Sequence, residues 1–189
     1  MRTGRADGSV TRVSWSLLVS AMLLVALHPP AARAARTVPN RALARHAPSL
    51  SITVPTGTVN LGNVSKGNTI SASLGTVNVT DSRNGIPPWT ATVTATDFTT
   101  TATPTQTIPK SNAAYWSGPV SAQSGTGTRV PGQPTANDRV TLATSRTAFS
   151  GRKTAAQAQS TSWAPTIVIT IPASAIAGTY RGTISHSAA

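Results

Sequence analysis

The stretch "WTATVTATDF", Trp89 to Phe98, decides the fold class. In an extended chain Trp89, Ala91, Val93, Ala95 and Asp97 fall on one side, and Thr90, Thr92, Thr94 and Thr96 fall on the other. This is a period of two, with apolar residues inward and hydroxyls outward. It describes a half-buried strand of an antiparallel sheet with one wet face. Asp97 breaks the apolar side. A carboxylate there is costly unless paired or at a strand end, so the strand is expected to finish near it.

The same pattern recurs downstream. In "WAPTIVITIP" (163–172) Trp163, Ile167, Ile169 and Ile171 share a face, opposed by Thr166 and Thr170. In "TYRGTISHSAA" (179–189) Tyr180, Gly182, Ile184, His186 and Ala188 oppose Thr179, Arg181, Thr183, Ser185 and Ser187. Weaker strands are expected at 49–54, 58–64, 70–80 and 139–143. Asp81-Ser82-Arg83-Asn84-Gly85 reads as a turn, with Pro87 and Pro88 delaying entry into the next strand. Residues 99–135 are rich in Thr, Pro, Gly and Ser and read as long loops around "YWSGPV". "KTAAQAQS" (153–160) allows two helical turns at most. The expectation is an all-β fold, an antiparallel β-sandwich of roughly eight strands over 49–189.

The chain has 189 residues, and its beginning differs from the rest. Arg2, Arg5 and Arg12 precede an uncharged apolar run, Val13 to Leu27, which Pro29 and Pro30 break. Ala32-Arg33-Ala34 has the small-x-small pattern of a cleavage site. The run has 15 residues, short of the ~20 that span a bilayer. Residues 1–34 therefore read as a secretory signal peptide, with cleavage at Ala34 or Ala35 and no membrane span after processing. Residues 35–48 carry Arg36, Arg41, Arg45 and His46 with two prolines, and read as a basic flexible linker. No sorting motif or apolar tail stands at the end of the sequence, so covalent anchoring there is not expected.

Charge and chemistry narrow the function. Lys and Arg number 16 against four Asp and no Glu, a net charge of +12. Loss of residues 1–34 lowers it to +9. Such a chain attracts polyanions. Export and the lack of a basic run interleaved with aromatics argue against nucleic acid. Anionic wall polymers or acidic lipids suit the compartment. There is no cysteine, hence no disulfide staple, and stability must come from a buried core. No G-x-S-x-G elbow, no Glu and no metal-spaced cluster are present, so the reading is noncatalytic, without cofactor. His186 reads as a packed histidine, with ligand contact or pH sensing as the alternative. Tyr115 and Trp116 sit between polar loops and are the candidates for sugar stacking.

The residues also carry a resemblance. "VTDSRNGIPPWTATVTATDF" followed by "WAPTIVITIP" and "AGTYRGTISHSA" resembles the actinobacterial branch of the WxL-type cell-surface domains. Trp89 matches the first motif. Tyr180, Ile184 and Ser185 sit at the spacing of the second, with His186 at the place of its Trp and Ala188 at the place of its Leu. The resemblance spans about 50–189. It implies a secreted, extracellular β-sandwich held noncovalently on peptidoglycan of a Gram-positive-type cell wall. Trp89, Tyr180, Ile184 and His186 are motif positions assigned here to the core. A structural or adhesive subunit that binds other secreted surface proteins is the alternative. For the export step, the extracellular protein is expected to begin at Ala35 or Arg36, and N-terminal sequencing checks this. Recovery of an intact Met1 chain in the membrane replaces the signal peptide with an anchor.

Overall fold

The computed structural model describes residues 47–101 and 103–189. The signal peptide, its cleavage site at Ala34 and Ala35, and the linker through His46 lie outside the described residues. The body from Pro48 to Ala189 is all-β and antiparallel. Its strands are β1 (Leu50–Thr53), β2 (Thr69–Ser73), β3 (Val77–Asp81), β4 (Pro88–Ala95), β5 (Phe98–Thr100), β6 (Thr107–Ile108), β7 (Ala113–Trp116), β8 (Val120–Ser124), β9 (Gly127–Pro131), β10 (Val140–Thr141), β11 (Arg146–Lys153), β12 (Gln159–Trp163), β13 (Thr166–Thr170), β14 (Tyr180–Arg181) and β15 (Ile184–Ala188). Two short 3-10 turns, Lys110–Asn112 and Ala136–Asp138, are the helical elements among the described residues.

The strands form four hydrogen-bonded sheets. Sheet A has the order β1-β3-β12-β8, sheet B β10-β7-β13-β2, sheet C β15-β4-β11-β9 and sheet D β14-β5-β6. A and B are one layer broken across its width. The chain passes directly from β2 to β3, from β7 to β8 and from β12 to β13, in matching order in both sheets. C and D are related in the same way through β4 to β5 and β14 to β15. The expected eight strands thus become more and shorter ones because several long strands are interrupted.

Pro165 explains the break in the first layer. It is buried between β12 and β13 in a central strand, and it has no N–H to give to a ladder. Both neighbouring strands absorb the defect. The pairing with β3 and β2 shifts by one residue across Leu74-Gly75-Thr76, and that with β8 and β7 shifts across Ser117-Gly118-Pro119. Gly75 (φ 83°) and Gly118 (φ 72°) supply the left-handed backbone these bulges need. The Leu74 N–H still reaches the Pro165 carbonyl at 2.8 Å. "WAPTIVITIP" is therefore not one strand face: Trp163 ends β12 in sheet A, while Ile167 and Ile169 lie in sheet B.

The space between the layers is filled by a row of rings. Trp89 of β4 stacks on Phe149 of β11 at 6.5 Å, and Phe149 stacks on Trp163 of β12 at 4.8 Å. Trp163 meets the His186 ring of β15 edge-on at 6.5 Å. The row crosses from sheet C to sheet A and back. Val77, Val79, Ala91, Val93, Ala148 and Leu142 pack around it and are buried. Full burial of each large apolar side chain contributes on the order of 1.5–3 kcal/mol.

Other expectations are corrected. Residues 58–64 form a loop, not a strand. Segment 153–160 contains no helix: Lys153 closes β11, and β12 begins at Gln159. Segment 99–135 is not mainly loop, for it holds β6 to β9. Ile169 is 3 % exposed and pairs with Ile70 and Ala113, while Thr170 beside it is exposed. Ile169→Asp buries an unpaired charge and is expected to cost a large part of a stability of ~5–15 kcal/mol. Thr170→Asp should be mild. Thermal melts of the two variants check this, and equal melting temperatures would refute the register.

Candidate functional site

Tyr115 and Trp116 are neighbours in β7 and therefore point to opposite sides of sheet B. Tyr115 was expected to offer a sugar-stacking face from a loop. It is instead fully buried, because β7 is an inner strand between β10 and β13 and Tyr115 takes its inward side. Its hydroxyl lies 3.1 Å from His186 Nε2 and 3.4 Å from Trp163 Nε1. Indole N–H is a donor only, so Tyr115 accepts from Trp163, and the same hydroxyl shares a second hydrogen bond with His186 Nε2 whose direction follows the imidazole tautomer. Burial pushes the Tyr115 phenol up and lowers the His186 pKa to about 4.

Trp116 faces outward. It is half-buried and pairs with Thr166. The outward face of sheet B reads in rows across the strands. Ser73, Thr166 and Trp116 form one row, and Ser71, Val168, Ala114 and Thr141 the next. Small side chains surround one large ring, so the face is flat with a single aromatic platform. Arg139, exposed, directly precedes β10, whose first residue Val140 pairs with Tyr115. A guanidinium is thus carried at the Trp116 end of the face. Its Nη1 donates to the Ala136 carbonyl at 3.1 Å.

The remaining motif positions lie elsewhere. Trp89 is 2 % exposed, and its Nε1 donates to Gln159 Oε1 at 3.2 Å. The indole lies across its cross-strand partner Gly151, where an added Cβ would come within 2.6 Å of the ring. Tyr180 is half-buried in β14, and its hydroxyl donates to the Ile176 carbonyl at 3.0 Å. Ile184 and His186 lie on β15, which pairs with β4, so the strands carrying the two motif segments are neighbours. Asp97 falls just after β4, is exposed, and accepts the Lys110 N–H at 2.8 Å.

Sequence reasoning missed one buried charged cluster. The Asp81 carboxylate is fully buried and accepts from Arg83 N, Nε and Nη2 at 3.0, 3.0 and 3.1 Å. Buried Lys153 Nζ lies 3.5 Å from it and also donates to the Arg83 carbonyl. Burial pushes the Asp81 pKa up, but the Arg83 bonds outweigh it and hold the carboxyl below the usual range. A carboxylate so held is no proton donor at neutral pH. It clamps the 82–88 turn and β3 to the end of β11. The sequence signal was weak, since Lys153 stands 72 positions from Asp81. Among the described residues no group of three His, Cys, Asp or Glu side chains converges as metal ligands, and no helix is long and apolar enough to cross a membrane. Comparison with known protein families, with curated proteins and with solved structures finds no match.

His186, half-buried against Tyr115 and Trp163, makes stability depend on pH. The imidazole titrates near 6.5 when unfolded and near 4 when folded. The folded state resists protonation, so stability is complete above about pH 6.5 and falls as pH drops toward 4. The shift corresponds to on the order of 3 kcal/mol. Asp81 adds its own loss only below the ordinary carboxylate range. His186→Gln should flatten the melting temperature between pH 6.5 and 4, and an unchanged slope would remove His186 as its cause.

Proposed function

We propose that this chain is a secreted, noncatalytic surface module that holds noncovalently to peptidoglycan or an anionic wall polymer, and that the outward face of sheet B is its binding surface. The observation that carries the reading is Trp116, a half-buried ring on a field of Ser, Thr, Ala and Val side chains. A sugar ring stacks on such an indole while neighbouring hydroxyls offer hydrogen bonds to its own. Arg139 at the same end supplies a charge for phosphate or carboxylate substituents. The resemblance to WxL-type domains and the apolar amino-terminal segment support the same compartment. Placing Trp116 on a sheet rather than on a loop favours the reading, because a rigid platform costs little to order on binding.

Two components of binding are expected. Net positive charge gives a general attraction that fades near 1 M salt, where the Debye length is ~3 Å. The platform gives a fraction that resists salt. Protein bound to purified cell walls is measured across a salt series for the wild type and for Trp116→Ala. The variant should keep its circular dichroism and lose most of the salt-resistant fraction, and deletion of residues 35–48 should spare that fraction. If high salt strips all wild-type protein from the walls, binding is electrostatic only, and pull-down of secreted partners tests the adhesive alternative.

A further inference from the structure

Between sheet B and sheet D the two layers part around a cavity of about 890 Å³. One wall is Ile70 of β2 and Ile169 of β13; the other is Phe98 of β5 and Ile108 of β6. These are inward residues of the sandwich, on the opposite side of sheet B from Trp116. The loops 59–66 and 173–179 border the space, and Ile176, 48 % exposed, stands at the mouth. The volume lies within the range of small-molecule sites, about 300–1,000 Å³. The four wall residues are apolar, while the bordering loops bring Asn60, Asn63, Ser65, Ser174 and Thr179 to the lining.

The rim has one charge. Lys66 is the single charged side chain lining the cavity, and it makes no ion pair among the described residues. A turn fixes its place. The Asn68 N–H bonds the Ser65 carbonyl at 3.2 Å, and Gly67 takes the left-handed backbone of the third turn position. The Gly67 N–H is tied to the Ile171 carbonyl at 2.9 Å, which joins the turn to the cavity rim.

We infer that this cavity takes the hydrocarbon chain of a single-chain anionic amphiphile, with its carboxylate or phosphate head at Lys66. The apolar walls select the chain, and the lone cation with no acidic residue among the lining selects the head. The site is independent of the wall-binding face, so either can fail without the other.

Calorimetric titration of the full chain with palmitate, with a palmitoyl lysophosphatidylglycerol and with hexadecanol tests the inference. One saturable site per chain is expected for one or both anionic probes; the probe that binds identifies the head as carboxylate or phosphate. Hexadecanol should bind at least tenfold more weakly. Ile176→Glu and Lys66→Glu alter exposed side chains and should leave the melting temperature unchanged. Each should weaken the anionic probes about tenfold or more, while Lys66→Glu leaves hexadecanol unaffected. No saturable binding, equal binding of the alcohol, or binding that survives both substitutions overturns the inference.

Discussion

The row of rings from Trp89 through Phe149 and Trp163 to His186 is the constraint around which the rest of the domain is arranged. It lies where the two layers face each other and takes members from β4, β11, β12 and β15. Its polar edges are met inside the protein: Trp89 by Gln159, Trp163 by Tyr115, and Tyr115 by His186. With no disulfide to hold the layers, each ring both fills volume and fixes the distance between sheets. Removal of one is the kind of change that costs about 3–5 kcal/mol, the loss of contacts added to the cavity left behind. The same packing keeps Tyr115 from any surface role. An aromatic whose hydroxyl completes a buried relay is not free to stack on a sugar.

The second constraint is Pro165. By breaking β12 from β13 it divides the first layer, and the bulges at Gly75 and Gly118 spread the break across three strands. The outcome differs on the two sides of the break. Sheets A and C close on the aromatic row, whereas sheets B and D part around the cavity. The break also positions the platform. Trp116 ends β7 just before the bulge at Gly118, whose left-handed backbone (φ 72°) turns the chain there.

Strand character was legible wherever one face is wet. β4 and β15 show uninterrupted alternation because their outward faces carry Thr and Ser, two of them joined by the 2.8 Å Thr92–Ser187 bond. β11 was not legible. Its pairing with β4 shifts between Thr147 and Phe149, so Ala148 and Phe149, consecutive in sequence, both point inward. A bulge erases the period by which strands are recognised. β7 to β9 were hidden for a different reason: small residues, Gly and Ser give short strands no propensity signal, and their order comes from neighbours. For the site, the pair Tyr115-Trp116 was visible as aromatic, but which of them faces out depends on register, and one residue of slip exchanges them. The Asp81–Lys153 clamp joins residues far apart in sequence and had no local signature.

The arginines show how a chain so rich in cations avoids a cost in its own fold. Only three acidic residues, Asp81, Asp97 and Asp138, stand in the described region, and Asp81 is the one that forms ion pairs. Backbone carbonyls take over the role of the missing acids. Arg129 donates to the carbonyls of Ser124, Gly125, Gly127 and Ser160, Arg146 to that of Thr141 and Arg152 to that of Ile86. Each bond staples a turn or a strand end, and the planar, branched guanidinium suits several carbonyls at once in a way an ammonium does not. Neutral acceptors leave the positive charge uncancelled. The same residues that order the loops therefore give the surface its attraction for polyanions, so fold and long-range electrostatics draw on one set of side chains.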